Sequence, residues 1–197
     1  MNFPNKITMA RIVLSILLLI LLIFPFNLCG IEFPTYELFG TINVNLLYII
    51  GGIIFLVASL TDFMDGNIAR KKKLVTDFGK VMDAIADKVL VNGVLVVLAC
   101  NGLISKVIPV IIITRDIFVD SIKMVAGSKG KAVGASVLGK LKTICMMSGL
   151  TLTFFYNIPF ELIGLDVADG LLYIACVLSI ISGVQYYLVN KEAFKEK

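Results

Sequence analysis

The chain contains no histidine among its 197 residues. Imidazole therefore cannot be the general base, and any hydroxyl nucleophile must be activated by another group. Its four cysteines, Cys29, Cys100, Cys145 and Cys176, are far apart and lack C-x-x-C spacing, which excludes a metal site built from thiolates. Cys29 and Cys100 both fall towards the expected external face, where a disulfide competes with ordinary apolar burial. Charge is also scarce. Only 16% of the residues are charged against 58% hydrophobic, and the mean hydropathy is +0.96, which excludes an ordinary soluble domain. No internal repeat, low-complexity tract or long linker divides the chain, so residues 1–197 read as a single domain. A cleavable signal is missing as well. Lys6 and Arg11 precede an apolar run, but that run is too long and no small-residue cleavage site follows. Leu28 before Cys29 is too bulky for a lipoprotein cleavage box.

What is present is a series of long apolar runs, the mark of an all-α integral membrane protein. Charge-free segments cover Ile12–Ile31, Leu38–Thr61, Val89–Ser105, Thr143–Phe160 and Gly170–Asn190, most of them near the roughly 20 residues that cross a hydrocarbon core. Val107–Ala126 supplies a sixth span. Arg115, Asp116, Asp120 and Lys123 within it must line a polar cavity, because lipid would not accept them. The runs are continuous and lack the ten-residue alternation of barrel strands, so six transmembrane helices are expected. Met1–Ala10, with Phe3, Pro4, Ile7 and Met9 among polar residues, reads as a short interfacial segment or a plain topogenic flank.

Charge asymmetry orients these spans in the cell membrane. Lys6 and Arg11, then Arg70, Lys71, Lys72, Lys73 and Lys80, then Lys129, Lys131, Lys140 and Lys142, and finally Lys191, Lys195 and Lys197 mark four cytoplasmic segments. The alternate connections carry Glu32 and Glu37, a lone Lys106, and Glu161, Asp166 and Asp169. Both termini are expected inside. The net charge of +4 is chiefly this topology signal, with attraction to anionic lipid as a consequence, and gives no argument for nucleic acid.

The chemistry is concentrated between Asp62 and Asp87, which read Asp62-x2-Asp65-Gly66-x2-Ala69-Arg70-x8-Gly79-x3-Asp83-x3-Asp87. Asp62, Asp65, Gly66, Ala69 and Arg70 share one face of a helix, and Gly79, Asp83 and Asp87 form a stripe on the next. Four carboxylates held together repel one another unless divalent cations sit among them. Asp62 is eight residues before Arg70, about 12 Å along a helix, so the cluster is expected to sit below the cytoplasmic interface in a cavity open to the cytosol. Gly66, Ala69 and Gly79 remove bulk where a ligand approaches a helix backbone, although small residues also serve close helix packing. Arg70 offers a fork of donors to phosphate, or anchors the helix end as its lysine neighbours do.

This pattern, without a mismatch, resembles the signature of the CDP-alcohol phosphatidyltransferase family. There a hydroxyl of a small alcohol attacks the β-phosphorus of a CDP-activated lipid and CMP leaves. The resemblance implies that Asp62, Asp65, Asp83 and Asp87 hold Mg²⁺ or Mn²⁺, two ions in all, with Asp87 also the base. It assigns Gly66, Ala69, Arg70 and Gly79, with Asn5 and Thr8, to the CDP-lipid, and it implies a homodimer. The rest of the chain resembles the phosphatidylglycerophosphate synthase branch, through Pro4-Asn5-Lys6-Ile7-Thr8-x2-Arg11, Ala86-Asp87-Lys88, Arg115-Asp116 and Gly139-Lys140-x-Lys142-Thr143. The substrates implied are CDP-diacylglycerol and glycerol 3-phosphate. Three positions depart from the pattern: Ala84 stands where proline is usual, and Asp120 and Lys123 replace a small residue and an arginine.

The basic residues agree with an anionic acceptor. Arg115 and Lys123, with Lys140 and Lys142 at the inner start of the following span, suit a phosphate better than a neutral alcohol. Lys140 and Lys142 also satisfy the positive-inside pattern, and Arg115 could instead pair with Asp116 or Asp120. An inositol-phosphate transferase shares the anionic acceptor. Intramembrane prenyl transfer pairs aspartates with metal at a different spacing, and a transporter would favour inverted repeats, of which no second aspartate stripe is seen.

Overall fold

The computed structural model describes the backbone of residues 3–38, 40, 42–71, 77–128, 134 and 136–191, and the side chains of these except at 3–6, 62–71, 77–78 and 80. Among the described residues six α-helices follow in order: α1 (Phe3–Ile23), α2 (Leu46–Lys71), α3 (Asp77–Cys100), α4 (Val107–Ser128), α5 (Val137–Phe154) and α6 (Val167–Asn190). There, α6 is the helix long and apolar enough to cross a membrane, with shorter apolar stretches at Ile7–Ile23 and Leu46–Thr61. The chain forms two compact units, Met1–Leu98 with Phe154–Ile158 and Ala99–Thr153 with Pro159–Lys197.

The second apolar run, Leu38–Thr61, expected as a helical span from its start, opens instead as a hairpin. Strand β1 (Thr35–Leu38) pairs antiparallel with β2 (Ile42–Asn45), from Thr35↔Asn45 to Leu38↔Ile42. Gly40, at φ +70°, supplies the left-handed backbone of the connection. Ile42 and Val44 are buried while Asn43 is exposed, a period of two that a helix cannot use. The helix begins only at Leu46. There Asn45 Oδ1 accepts the Leu47 N–H at 2.9 Å, capping an open amide, while the Asn45 N–H donates to the Tyr156 hydroxyl at 2.9 Å.

The first helix starts before the first apolar run. The chain is helical from Phe3, so the segment that precedes Ile12 is continuous with α1. The helix stops at Ile23, short of Pro25, which disfavours helical backbone in the residue before it. Phe26–Cys29 then makes a single 3₁₀ turn closed by Gly30 at φ +71°. All four cysteines are free thiols, Cys29 and Cys100 included.

Within the first unit α1 packs on α2. Thr8, Arg11, Ser15, Leu18 and Leu22 recur every three or four residues on α1, and all five are buried. Glycines allow the helices close approach. A Cβ added at Gly93 would lie 2.7 Å from the Leu19 side chain, and one at Gly51 would lie 3.2 Å from Leu22 Cδ2. Within the second unit α4 packs on α6, and a Cβ at Gly149 of α5 would meet Leu172 Cγ at 2.8 Å. The outward faces are apolar as well: Ile174, Val177, Ile181, Val184 and Leu188 of α6 are all exposed. A helix that turns an apolar face outward suits an apolar solvent.

Candidate active site

Expected site residues fall in both units. In the first, the backbones of Asp62, Asp65, Gly66, Ala69 and Arg70 are helical in the last turns of α2. Their side chains, and that of Asn5, lie outside the described ones. Gly79, Asp83 and Asp87 lie on α3, four residues apart, on one face as the spacing predicts. Asp83 and Asp87 are thus the two described members of the expected ligand set. Both are accessible: Asp87 is exposed, and the Asp83 side chain keeps 49% of its surface. Carboxylate oxygens at one-turn spacing are hard donors of the kind Mg²⁺ and Mn²⁺ prefer, so the residues present fit such an ion.

Arg11, expected as a charge flanking the first span, is instead built into this region. Its side chain is 1% exposed and pairs with Asp83. Nη2 donates to the Asp83 carboxylate and, at 3.3 Å, to the Asp83 main-chain carbonyl. The Arg11 carbonyl accepts the Ser15 hydroxyl at 2.8 Å. Thr8 lies on the same buried face, one turn earlier.

The second unit gathers the basic residues. Arg115 of α4 donates from Nη1 to Asp116 Oδ1 at 2.8 Å, from Nη2 to Ser182 Oγ at 2.7 Å and from Nε to the Ser179 carbonyl at 3.1 Å. Lys142 of α5 donates to both Asp116 carboxylate oxygens, at 2.8 and 2.9 Å. One carboxylate therefore binds two cations. All three side chains are largely buried, with exposures of 13% for Arg115, 20% for Asp116 and 5% for Lys142. Of the two partners open to Arg115 in the sequence, the structure selects Asp116. Lys123 and Lys140 are exposed, as groups meeting a soluble anion must be.

Tyr186 of α6 was not singled out in the sequence, yet it organises this cluster. Its ring lies 5.8 Å from the Arg115 guanidinium and 5.4 Å from Lys123 Nζ. Its hydroxyl donates to the Gly134 carbonyl and accepts the Ser136 N–H, both at 2.9 Å. Ser136 in turn caps α5: its Oγ accepts the Gly139 N–H at 3.0 Å, and its carbonyl accepts the Lys140 N–H at 3.1 Å. The turn carrying Lys140 and Lys142 is thus tied to α6. The available signal was Ser179, Ser182, Gly183 and Tyr186 at i, i+3, i+4 and i+7, a small and polar stripe in an apolar helix. Beside Arg115 and Gly183, α4 and α6 border a largely apolar groove of about 580 Å³, with Val110, Ile111, Phe118 and Ile180 in its walls.

Comparison with known proteins identifies the family. The sequence model of the CDP-alcohol phosphatidyltransferase family matches residues 1–181. The chain is 37% identical to the CDP-diacylglycerol–glycerol-3-phosphate 3-phosphatidyltransferase of Bacillus subtilis, over 98% of this chain and 97% of that one. It is 34% identical to the protein of the same name from Rickettsia bellii, over 98% and 97%. Among solved structures, Mycobacterium tuberculosis phosphatidylinositol phosphate synthase in complex with manganese and citrate shares the fold, with a TM-score of 0.63 at 17% identity over 100% of this chain and 87% of that one. With its aspartate signature complete on α2 and α3, the chain belongs to the CDP-alcohol phosphatidyltransferase family.

Proposed function

We propose that the protein transfers the phosphatidyl group of CDP-diacylglycerol to glycerol 3-phosphate, giving phosphatidylglycerophosphate and CMP. The observation that carries this reading is the 37% identity, over 98% of the chain, to a Bacillus subtilis protein named for that reaction. The family match runs through residues 1–181, which supports treating both units as one catalytic domain.

Asp62, Asp65, Asp83 and Asp87 would hold Mg²⁺ or Mn²⁺, two ions in all, which when bound stabilise the negative charge developing on the pyrophosphate oxygens. The chain's own groups account for the remaining steps. Gly66, Ala69 and Gly79 leave room for the CDP portion, and Arg70, Asn5 and Thr8 bind it. The glycerol hydroxyl forms a bond to the β-phosphorus as the bond to CMP breaks, and Asp87 takes the hydroxyl proton. Arg115, Lys123, Lys140 and Lys142 bind the acceptor phosphate. Arg115 and Lys142 are already fixed on Asp116, so their charge needs little reorganisation when substrate arrives.

The protein works in the cell membrane as six spans, with both termini and the site cytoplasmic and a homodimer as the assembly. The apolar outward faces and the alternation of lysine-rich segments support this topology. Purified protein in vesicles, given CDP-diacylglycerol and a panel of acceptors, tests the reaction through CMP release. Release is expected with glycerol 3-phosphate, lost with a chelator and restored by Mg²⁺ or Mn²⁺. A preference for inositol phosphate would overturn the acceptor assignment, and no release with any acceptor would overturn the reaction.

A further inference from the structure

The Arg11–Asp83 pair differs from an ordinary anchoring contact. A guanidinium 1% exposed, in a helix with an apolar outward face, carries a large desolvation cost unless it is paired. Its partner is an acidic side chain that keeps 49% of its surface. Arg11 Nη2 grips Asp83 at two points, the carboxylate and the main-chain carbonyl of the same residue, which restrains the side-chain rotamer as well as the charge.

We infer that Arg11 is a positioning residue for the metal-binding face of α3: it holds Asp83 from the buried side so that the rest of the carboxylate is presented outward, towards the side where Asp87 is exposed. The inference rests on the reading of Asp83 as a ligand. Groups that hydrogen-bond a metal ligand orient it, and their loss commonly weakens metal binding about 10–100-fold. A cation near a metal site also repels the metal, so a merely neighbouring arginine has the opposite sign. Its removal would tighten metal binding.

That difference of sign is the test. Full-length protein in detergent, taken as the monodisperse fraction, is titrated with Mn²⁺ and free ion is followed by electron paramagnetic resonance. R11Q is expected to weaken Mn²⁺ binding about tenfold or more, R11K by less, and R11Q added to D83N to have no further effect. Unchanged or tighter binding in R11Q overturns the inference, as does an equal loss in the D83N background. If R11Q does not fold, R11K carries the test, with binding at or above the wild-type affinity overturning it. Wild-type protein that binds no Mn²⁺, or D83N that binds as wild type, would overturn the ligand reading itself.

Discussion

The two units solve the same problem with inverted charge. In the first, a buried cation, Arg11, stands behind a carboxylate that remains half-exposed. In the second, a carboxylate, Asp116, stands between two cations that are nearly closed off, Arg115 at 13% and Lys142 at 5%. Each is a polar cluster sunk among apolar helices, where an unpaired charge is costly and one counter-charge is the least that holds it. The difference lies in what is left accessible. In the acidic cluster Asp87 is exposed and Asp83 half-exposed, as the proposed metal site requires, whereas in the basic cluster the paired charges are closed off and Lys123 and Lys140 are exposed, as the proposed acceptor site requires.

The largest effect that sharpens this contrast is at Asp87. Replacing the carboxylate of the proposed base by an amide, D87N, is expected to lower CMP release at least about 100-fold while CDP-lipid still binds. Single-turnover release and nucleotide binding measured on the same sample separate the two. Near-normal release would remove the base from the acidic cluster and leave it a metal cradle alone.

D116N addresses the other cluster. It presents an amide nitrogen to cations that now meet carboxylate oxygens at 2.8–2.9 Å, and loss of one partner from a buried pair costs on the order of 3 kcal/mol. A lower melting temperature is expected, together with a KM for glycerol 3-phosphate raised at least about tenfold, which takes about 1.4 kcal/mol of that loss. The KM for CDP-diacylglycerol should not move. An equal rise in both would erase the division of labour between the clusters.

How far the sequence revealed these clusters follows from the range of the contacts. The stripe on α3 was legible because Gly79, Asp83 and Asp87 are one turn apart in a single helix. Arg115 with Asp116 was legible as an alternative because the residues are adjacent. The ties of Arg115 to Ser179 and Ser182, and of Tyr186 to Gly134 and Ser136, join segments some fifty or more residues apart, and no local pattern pairs them. Arg11 was misjudged for a related reason. A basic residue before an apolar run reads as a flank, but α1 starts at Phe3, so Arg11 falls on the buried face of its third turn. The hairpin was hidden by composition: Leu38–Thr61 lacks charge throughout, and hydropathy does not distinguish the alternating Ile42-Asn43-Val44-Asn45 from the helix that follows.

A smaller effect is expected at Tyr186. Y186F keeps the ring beside Arg115 and Lys123 but removes the hydroxyl that bridges Gly134 and Ser136. An unsatisfied amide and carbonyl cost about 1–2 kcal/mol. The loss should appear in the acceptor KM and in faster hydrogen exchange at Ser136 and the first turn of α5. A change in Mn²⁺ affinity instead would show that Tyr186 serves the acidic cluster.

The smallest change tests whether the basic cluster is as rigid as its hydrogen bonds imply. A Cβ at Gly183 would lie 3.2 Å from Arg115 Cγ, tight enough that the arginine must move by a few tenths of an ångström. An unrestrained stem would absorb that shift without consequence. Arg115 is restrained at Nε, Nη1 and Nη2, at 3.1, 2.8 and 2.7 Å, so G183A should lengthen one of these contacts. The expected cost is about 1 kcal/mol, seen as an acceptor KM raised roughly fivefold with CDP-diacylglycerol and Mn²⁺ dependence unchanged. A lower melting temperature with an unaltered acceptor KM would make Arg115 a tie between α4 and α6 alone. The acceptor charge would then fall to the lysines.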